Sequence, residues 1–558
     1  MKKTILRQRT TLPQDFLAGA TGAVAGAPQS MAFAMIAGLS PIYGLYAAIV
    51  ATISGTLAVS STFMTVAPTN ALALVVGSTL MGYTGQDQLA RLFTLTLLVG
   101  VFLFLFGVFR LGGLTRFVSN AVMTGFITGA GTLIILGQLR NLTGYQSTVS
   151  GPYVVRFWDW LTHLPQSDLQ TTVTGITALV IIYVLRQTRL KYWASLFGIG
   201  AASLLVSLLG WHNVLMVRDI SSIPAGLPAL MLPDLRYVPE LALSALAMAV
   251  LVAVQSAGLS QTIPEPDGSI PDATRDFTGQ GIANIVGSFF QGMPSGGSLS
   301  RTAVNVSAGA RSRLSNVFAG AFIGLTVMFL GPLIERVTLT GLAALLIVAA
   351  LSLINVENLS IVWNVNKSAR FLLVVTYLAT LTLPLEFSIY IGIVLSLGLY
   401  LYTSAARIQV VQLIPFNGVQ FREATVPVEL PADIPLILSV SGNLYFGAIQ
   451  RLEELLPNPN DVKHPIVILR MRDHQYLGST GIRFIERYST QLAARQGRLM
   501  LTGIGPRVYQ QLERTKAVEF LGSENIFCAE DVLFESTTHA LTDARRWLTQ
   551  EWTVGAAD

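Results

Sequence analysis

The chain has 558 residues, of which 52% are hydrophobic and only 12% charged, and its mean hydropathy is +0.57. Soluble globular proteins carry about 25% charged residues, so this composition excludes a soluble protein and indicates an integral membrane protein. The single cysteine, Cys528, excludes an internal disulfide and a cysteine-based metal cluster, and the net charge of +5 is no sign of nucleic-acid binding.

The density of charge divides the chain near Arg407. Residues 1–406 hold 21 basic and 14 acidic residues, whereas the remaining 152 residues hold 15 basic and 17 acidic residues. The charge density of residues 407–558 is that of an ordinary soluble domain. The excess of basic residues in 1–406 belongs to membrane loops. We therefore expect a membrane domain over 1–406 and a soluble domain over 407–558, whose fold core covers about 425–548.

The apolar segments predict fourteen membrane-spanning helices, since they are long and lack the two-residue alternation of barrel strands. The first follows a short basic head and has no cleavage site, so it is interpreted as a span and not as a removed signal peptide. The fourteen predicted spans are roughly 15–38, 42–58, 68–83, 90–109, 117–138, 170–186, 193–210, 240–262, 277–292, 298–310, 315–335, 339–355, 369–383 and 387–405.

The third and tenth spans are too short to cross a bilayer. At 1.5 Å per residue, 68–83 extends about 24 Å and 298–310 about 20 Å, against a hydrocarbon core of about 30 Å. The two segments lie seven spans apart, and each begins beside proline or glycine. Short, interrupted helices at matching positions of two halves are typical of inverted-repeat transporters, whose substrate binds where the half-helices meet.

Basic loop residues predict the orientation. An even number of spans places both termini on one side, and the loops of that side hold ten Lys and Arg residues against six on the other, before the four basic residues of the N-terminal head are added. The positive-inside rule therefore places the termini and the soluble domain in the cytoplasm, with the spans in the plasma membrane.

Arg301 follows the helix-breaking stretch "MPSGGS" and falls in the first turn of the tenth span. A charged side chain in mid-membrane costs about 2.5–3.5 kcal/mol on insertion scales, so it requires a partner or a polar cavity. A helix N-terminus already carries about +0.5 of an elementary charge, and Arg301 adds a full charge to it. That combination favours an anion site, which Pro68 and Thr69 at the start of the third span would complete; Pro68 is expected at the first helical position. The alternatives are an ion pair with Glu386, or snorkelling to the membrane interface.

The soluble part alternates strand-like and helix-like runs. "PLILSVSG", "PIVILRM" and "RLMLTGI" are typical of buried strands, and four amphipathic runs between and after them are typical of helices. A small α/β domain of roughly 120 residues is predicted.

Four stretches together resemble the SulP family of sulfate permeases and solute-carrier-26 transporters with a C-terminal STAS domain. They are "PQSMAFAMIAGLSPIYGLYAA" (28–48), "VAPTNALAL" (66–74), "VMTGFITGAG" (122–131) and "GIANIVGSFFQGMPSGGSLSRTAVNVSAGARSRLS" (281–315).

The resemblance implies a seven-plus-seven inverted repeat divided into core and gate domains, a homodimer, alternating access, no cofactor and a cytoplasmic STAS domain that could hold a protein partner. It also implies an anion held between spans three and ten. The substrate-binding residues carried over are Gln29, Phe33, Pro68, Thr69, Gln255, Ser298, Leu299, Ser300 and Arg301. Phe33 has helix packing as its alternative role.

Two positions depart from the family pattern. Gln255, in "VAVQSAG", stands where proton- or sodium-coupled members have Glu or Asp, and an amide neither titrates nor binds Na⁺ as a carboxylate does. Exchange or uncoupled anion movement is therefore expected, unless coupling uses another residue. In the STAS region Gly478 replaces the usual Asp before Ser479, so Ser479 is expected to be a structural helix cap and not a regulated phosphoacceptor.

Other functional classes are disfavoured. No lysine follows a glycine as in a phosphate-binding loop, which argues against an ATP-driven pump, and none of the five histidines falls in a predicted span, which argues against a membrane enzyme. We expect a secondary transporter of a small anion. Sulfate is the substrate that we expect, and bicarbonate, chloride, nitrate and dicarboxylates stay open. The alternative function is a channel-like or anion-sensing membrane protein without stoichiometric turnover.

Gln255 generates a prediction about coupling. Because an amide cannot exchange a proton in the working pH range, uptake of anion into liposomes should not change when a pH gradient or a Na⁺ gradient is imposed. Initial uptake rates of radiolabelled sulfate with and without each gradient test this, and gradient-driven accumulation would contradict it.

Overall fold

The computed structural model describes residues 2–113, 119–145, 149, 153–220, 223, 226–262, 265, 269, 271–416, 420–432, 434–442, 444–459 and 462–555. The chain divides into two compact units, Met1–Ser396 and Leu397–Asp558. The division falls within the last long apolar helix.

Where the structure describes it, the first unit is helical apart from two very short strands and short 3₁₀ turns. Its elements, with the helix that continues into the second unit, are α1 (Lys2–Ile36), α2 (Pro41–Ala58), β1 (Val66–Ala67), α3 (Asn70–Thr79), α4 (Gly85–Val108), α5 (Asn120–Thr143), α6 (Tyr153–Thr162), α7 (Leu169–Arg186), α8 (Ala194–Leu209), α9 (Val238–Thr262), α10 (Ala273–Phe289), β2 (Gly296–Gly297), α11 (Leu299–Ser307), α12 (Leu314–Ile334), α13 (Leu339–Leu351), α14 (Val356–Val365), α15 (Lys367–Thr382) and α16 (Leu385–Ala406).

A helix lies at each of the fourteen predicted positions. Among the described residues, eight helices are long and apolar enough to cross a membrane, and this confirms a polytopic helical protein. The count of fourteen spans stays a prediction, because several of these helices are shorter. Residues 117 and 118, with which the fifth predicted span begins, lie outside the described residues.

The third and tenth spans are even shorter than predicted. α3 has 10 residues and α11 has 9, or about 15 and 14 Å of helix. The prediction that Pro68 is the first helical residue is wrong. Thr69 is the N-cap of α3, and its side chain accepts a hydrogen bond from the N–H of Leu72 at 3.4 Å, so the helix begins at Asn70, two residues after Pro68.

The helices of the first unit pack as two bundles. We call α1–α4 and α9–α12 the first bundle, and α5, α7, α8, α13 and α15 the second bundle. α1 lies at the border, where it contacts α8 and α13. The expected core and gate domains would have these two bundles as their counterparts.

Glycines allow a close helix contact in the first bundle, between α4 and α10. A Cβ on Gly100 would lie 2.6 Å from the backbone nitrogen of Ile285, and one on Gly281 would lie 2.5 Å from that of Phe104. Small residues of this kind let helix backbones approach where lipid provides no hydrophobic drive for association.

The second unit contains a six-stranded sheet in the order β4-β3-β5-β6-β7-β8. β3 pairs antiparallel with β4 and β5, and β5 to β8 are parallel. The strands are β3 (Gln409–Phe416), β4 (Gln420–Ala424), β5 (Leu436–Ser441), β6 (Ile466–Arg470), β7 (Arg498–Ile504) and β8 (Ile526–Cys528). The helices are α17 (Phe446–Leu455), α18 (Ser479–Ala493), α19 (Pro506–Arg514), α20 (Ala517–Leu521) and α21 (Glu535–Gly555).

The three predicted strands are confirmed as β5, β6 and β7, whose residues are almost all buried. Alternate side chains of these strands enter two hydrophobic cores, one containing residues of α17 to α20 and the other residues of α21. The sequence pattern does not predict β3, β4 and β8, because only one residue of β3 and β4 together is buried and β8 has only three residues.

The expectation that Ser479 caps a helix is wrong. Ser479 is the first residue of α18 and is exposed, and the N-cap is Gly478, with no side-chain capping bond. Gly478 has no side chain that could accept a hydrogen bond from the first N–H groups of α18.

The glycine contact predicts the effect of one methyl group. Gly100→Ala should destabilise the protein by about 1–3 kcal/mol, because the added Cβ pushes α4 away from α10. Thermal unfolding of the detergent-solubilised protein measures this. Gly200→Ala in α8 is the matched control, since a Cβ there meets no atom within 4 Å. Equal melting temperatures for the two variants would contradict the packing argument.

Candidate functional site

Two strands of two residues each, β1 before α3 and β2 before α11, bring the two half-helices together. β1 and β2 pair antiparallel, with Val66 opposite Gly297 and Ala67 opposite Gly296. The N–H of Ser298 then donates to the carbonyl of Thr65 at 2.9 Å. Because the strands run in opposite directions and each leads into a helix, α3 and α11 leave the pair at opposite ends, and their N-termini converge on it.

Buried amide side chains hold the β2 side of this junction. The Oε1 of Gln280 accepts hydrogen bonds from the N–H of Gly297 at 2.7 Å and from the hydroxyl of Ser256 at 2.8 Å. Asn284 donates to the carbonyl of Ser295 and accepts from its N–H, both at 2.8 Å. Irregular backbone at membrane depth requires partners of this kind, because lipid supplies none.

A second set of polar side chains holds the β1 side. The hydroxyl of Thr302 accepts from the N–H of Thr65 at 3.0 Å, and the hydroxyl of Thr65 donates to the side chain of Asn316 at 2.6 Å. Asn316 also donates to the carbonyls of Phe63 at 3.3 Å and Met64 at 3.0 Å. The residues before α3 are thus tied directly to α11 and α12.

Arg301 is the third residue of α11 and is buried, with 6% of its surface exposed. Its Nη2 donates to the carbonyl of Gly26 at 2.9 Å and also to the hydroxyl of Ser30, both on α1. The guanidinium carbon lies 3.4 Å from the position that a Cβ on Gly26 would take, so the absence of a side chain there gives the guanidinium its place against α1.

The charge of Arg301 is not neutralised by an acid within the described part of the chain. Its partners on α1 are neutral, its Nε has no hydrogen-bond partner, and no ion pair includes it. The alternative pairing with Glu386 is therefore not formed, and an oxygen of Glu386 is itself buried without a partner. A buried, uncompensated cation beside a helix N-terminus favours an anion.

Arg301 lines a cavity of about 100 Å³. Gln29 and Ser300, two other predicted site residues, line the same cavity, and the helix that carries Ser300 and Arg301 has no side chain capping its first N–H groups. Hydroxyl, amide and guanidinium donors therefore converge on a space large enough for a small oxyanion.

The other predicted site residues do not line this cavity. Phe33, Pro68, Thr69 and Ser298 are buried, Gln255 is half-buried, and Leu299 is 57% exposed. Pro68 and Thr69 stand at the opposite half-helix end, beyond the strand pair, and Ser298 takes part in the junction through its backbone. Whether these residues contact substrate stays a prediction.

Sequence reasoning missed several cavity residues. They are Thr52, Thr65, Arg186, Lys191, Tyr192, Ser195, Asn305 and Asn316. Asn305 lies inside the quoted motif 281–315 and Asn316 directly follows it, so a search for buried amides near the half-helix would have found both. Arg186 and Lys191 are among the ten basic loop residues from which the orientation is predicted.

Comparison with known proteins gives the family. The profile of the sulfate permease family matches residues 12–376, and that of the STAS domain matches residues 425–532. The chain belongs to the sulfate permease family. The resemblance of the four sequence stretches is thereby confirmed, and the family consists of transporters and not enzymes.

The relatives agree over nearly the whole chain. A probable sulfate transporter 4.2 of Arabidopsis thaliana is 28% identical over 540 residues, covering 92% of this chain and 79% of that protein. The structure of SLC26A9 has a TM-score of 0.85 at 18% identity and covers 97% of this chain and 91% of that one. The transmembrane domain of the cyanobacterial bicarbonate transporter BicA has a TM-score of 0.59 at 21% identity, covering 70% of this chain and 98% of that one. The likeness to the two structures establishes the fold, and together with the family it supports anion transport by a multi-pass membrane protein.

The surroundings of Arg301 predict its contribution to anion binding. Arg301→Ala should weaken sulfate binding tenfold to a hundredfold, because a hydrogen bond to a charged group contributes about 1.5–3 kcal/mol. The variant should still fold, since the partners it loses are a carbonyl and a hydroxyl on α1. Equilibrium binding of radiolabelled sulfate to purified protein measures this, with the exposed Arg218→Ala as control. Unchanged affinity in Arg301→Ala would remove Arg301 from the site.

Proposed function

We propose that the protein is a secondary transporter that carries sulfate across the plasma membrane by alternating access. The observation that carries the proposal is the antiparallel pairing of β1 and β2, which directs the N-termini of two half-helices at one junction beside the cavity of Arg301. Two converging helix N-termini and a buried guanidinium favour a small, compact oxyanion.

Sulfate suits this site because its four oxygens accept hydrogen bonds in every direction. The cavity walls supply donors from two elements, with Gln29 on α1 and with Ser300 and Arg301 on α11. The start of α3, with Pro68 and Thr69, lies beyond the strand pair, and Ser298, Leu299, Phe33 and Gln255 do not line the cavity. Their contact with the anion is proposed from the family resemblance alone.

Alternating access needs two bodies that move against each other, and the packing supplies two. The cavity lies between α1, α2, α11 and α12 of the first bundle and α7, α8 and α13 of the second bundle. Movement of one bundle against the other would expose the junction to one side of the membrane and then to the other. The proposed protein is a homodimer with its termini and STAS domain in the cytoplasm, where that domain can bind a protein partner.

A counterflow experiment tests transport against the channel-like or anion-sensing alternative. Liposomes containing the purified protein are loaded with unlabelled sulfate and diluted into a trace of radiolabelled sulfate. A carrier that exchanges anions should accumulate label transiently above its equilibrium level, because each outward step is matched by an inward one. Chloride, nitrate, bicarbonate and a dicarboxylate as internal anions define the substrate range.

Two outcomes would count against the proposal. Label that only equilibrates, together with a steady anion current, would assign the protein to the channel-like class. Sulfate binding without any flux in either direction would assign it to the sensing class. Arg218→Ala protein should behave as the unmodified protein in this assay, because Arg218 does not line the cavity.

A further inference from the structure

One wall of the cavity comes from the bundle that carries none of the predicted site residues. The second bundle, with the segment joining α7 to α8, contributes four polar residues: Arg186, Lys191, Tyr192 and Ser195. Arg186 is the last residue of α7, and Lys191 precedes α8 by a few residues. An anion beside Arg301 is therefore also enclosed by basic residues of the opposite bundle.

Among the described residues that line the cavity, three are basic and none is acidic. None of the three forms an ion pair in the described part of the chain. Nη1 of Arg186 donates to the carbonyl of Val348 at 3.1 Å, which orients the guanidinium without neutralising it. Nζ of Lys191 lies 5.0 Å from the ring centre of Tyr192, another neutral neighbour. The cavity thus holds three cations supplied by two bodies.

The number of cations decides which anion charge is favoured. The Coulomb attraction between an anion and each cation grows in proportion to the charge of the anion. The cost of removing the anion from water grows with the square of that charge. A site with Arg301 alone would therefore penalise a divalent anion relative to a monovalent one. Each further cation adds twice as much attraction for the divalent anion, and several cations together reverse the preference.

We propose that Arg186 and Lys191 form a second half of the anion site and make the protein select divalent over monovalent oxyanions. This inference rests on the proposed function, because it concerns the same cavity. It adds that the selecting residues lie on α7 and the α7–α8 segment, opposite the half-helix that carries Arg301. Divalent sulfate, or a dicarboxylate of similar size, is the substrate class that results.

Equilibrium binding to purified full-length protein tests the proposal without requiring turnover. Radiolabelled sulfate measures the dissociation constant for sulfate, and unlabelled nitrate as competitor measures that for a monovalent oxyanion. Lys191→Gln should raise the dissociation constant for sulfate about tenfold and that for nitrate by less than about threefold. Arg186→Gln should act in the same direction. Lys191→Arg should keep the preference of the unmodified protein for sulfate, because it keeps the positive charge.

Arg189→Gln is the matched control. Arg189 lies on the same segment and is exposed, but it does not line the cavity, so its loss should leave the ratio of the two dissociation constants unchanged. Size-exclusion profiles verify that each variant folds. If Arg186→Gln fails to fold through the loss of its bond to Val348, Lys191→Gln alone decides, since Lys191 is exposed.

Each outcome bears on one proposal. Equal losses of sulfate and nitrate affinity in Lys191→Gln, or an equal shift in Arg189→Gln, would overturn charge selection by the second bundle. Unmodified protein that binds nitrate as tightly as sulfate would overturn it as well. Divalent selection in binding with no counterflow would instead leave this inference standing and overturn the proposed transport.

Discussion

The site depends on a two-residue strand pair inside the membrane domain. Each of β1 and β2 leaves backbone donors and acceptors at a depth where lipid offers none, and pairing satisfies them mutually. Gln280, Asn284 and Asn316 satisfy the groups that the pairing leaves over. Because the strands are antiparallel, the helices that follow must begin near each other and diverge. The anion binding that we propose for this site follows from this one geometric constraint.

Arg301 is placed by α1 and not by an acid. A carboxylate partner would satisfy the guanidinium and at the same time remove the positive potential that an anion requires. A carbonyl and a hydroxyl of α1 instead orient the side chain and leave its charge in place. The same design recurs at Arg186, which a carbonyl of α13 orients. Neutral acceptors thus position cations around the cavity at little cost to its potential.

The polar network also joins the parts of the first bundle that carry the site. Thr65 connects to Thr302 of α11 and to Asn316 of α12, and Gln280 of α10 connects to both α9 and β2. Close glycine contacts hold α4 against α10. The half-helices are therefore fixed to a rigid support, whereas the wall formed by α7, α8 and α13 belongs to a separately packed body. In the alternating access that we propose, a site divided in this way binds substrate and transmits that binding as movement.

The sequence alone determined the class of protein, the positions of the helices, the alternation of β5 to β7 with helices in the soluble unit, and the two truncated helices. These features follow from hydropathy, periodicity and helix-breaking residues, which act locally along the chain. It also marked Arg301, because an unpaired charge in an apolar segment is costly in any fold. Only the tertiary structure decided that Gly26 and Ser30 receive Arg301, and that Arg186 and Lys191 line its cavity. Those contacts join residues more than a hundred positions apart through helix packing, and no local pattern encodes which faces of two distant helices will meet.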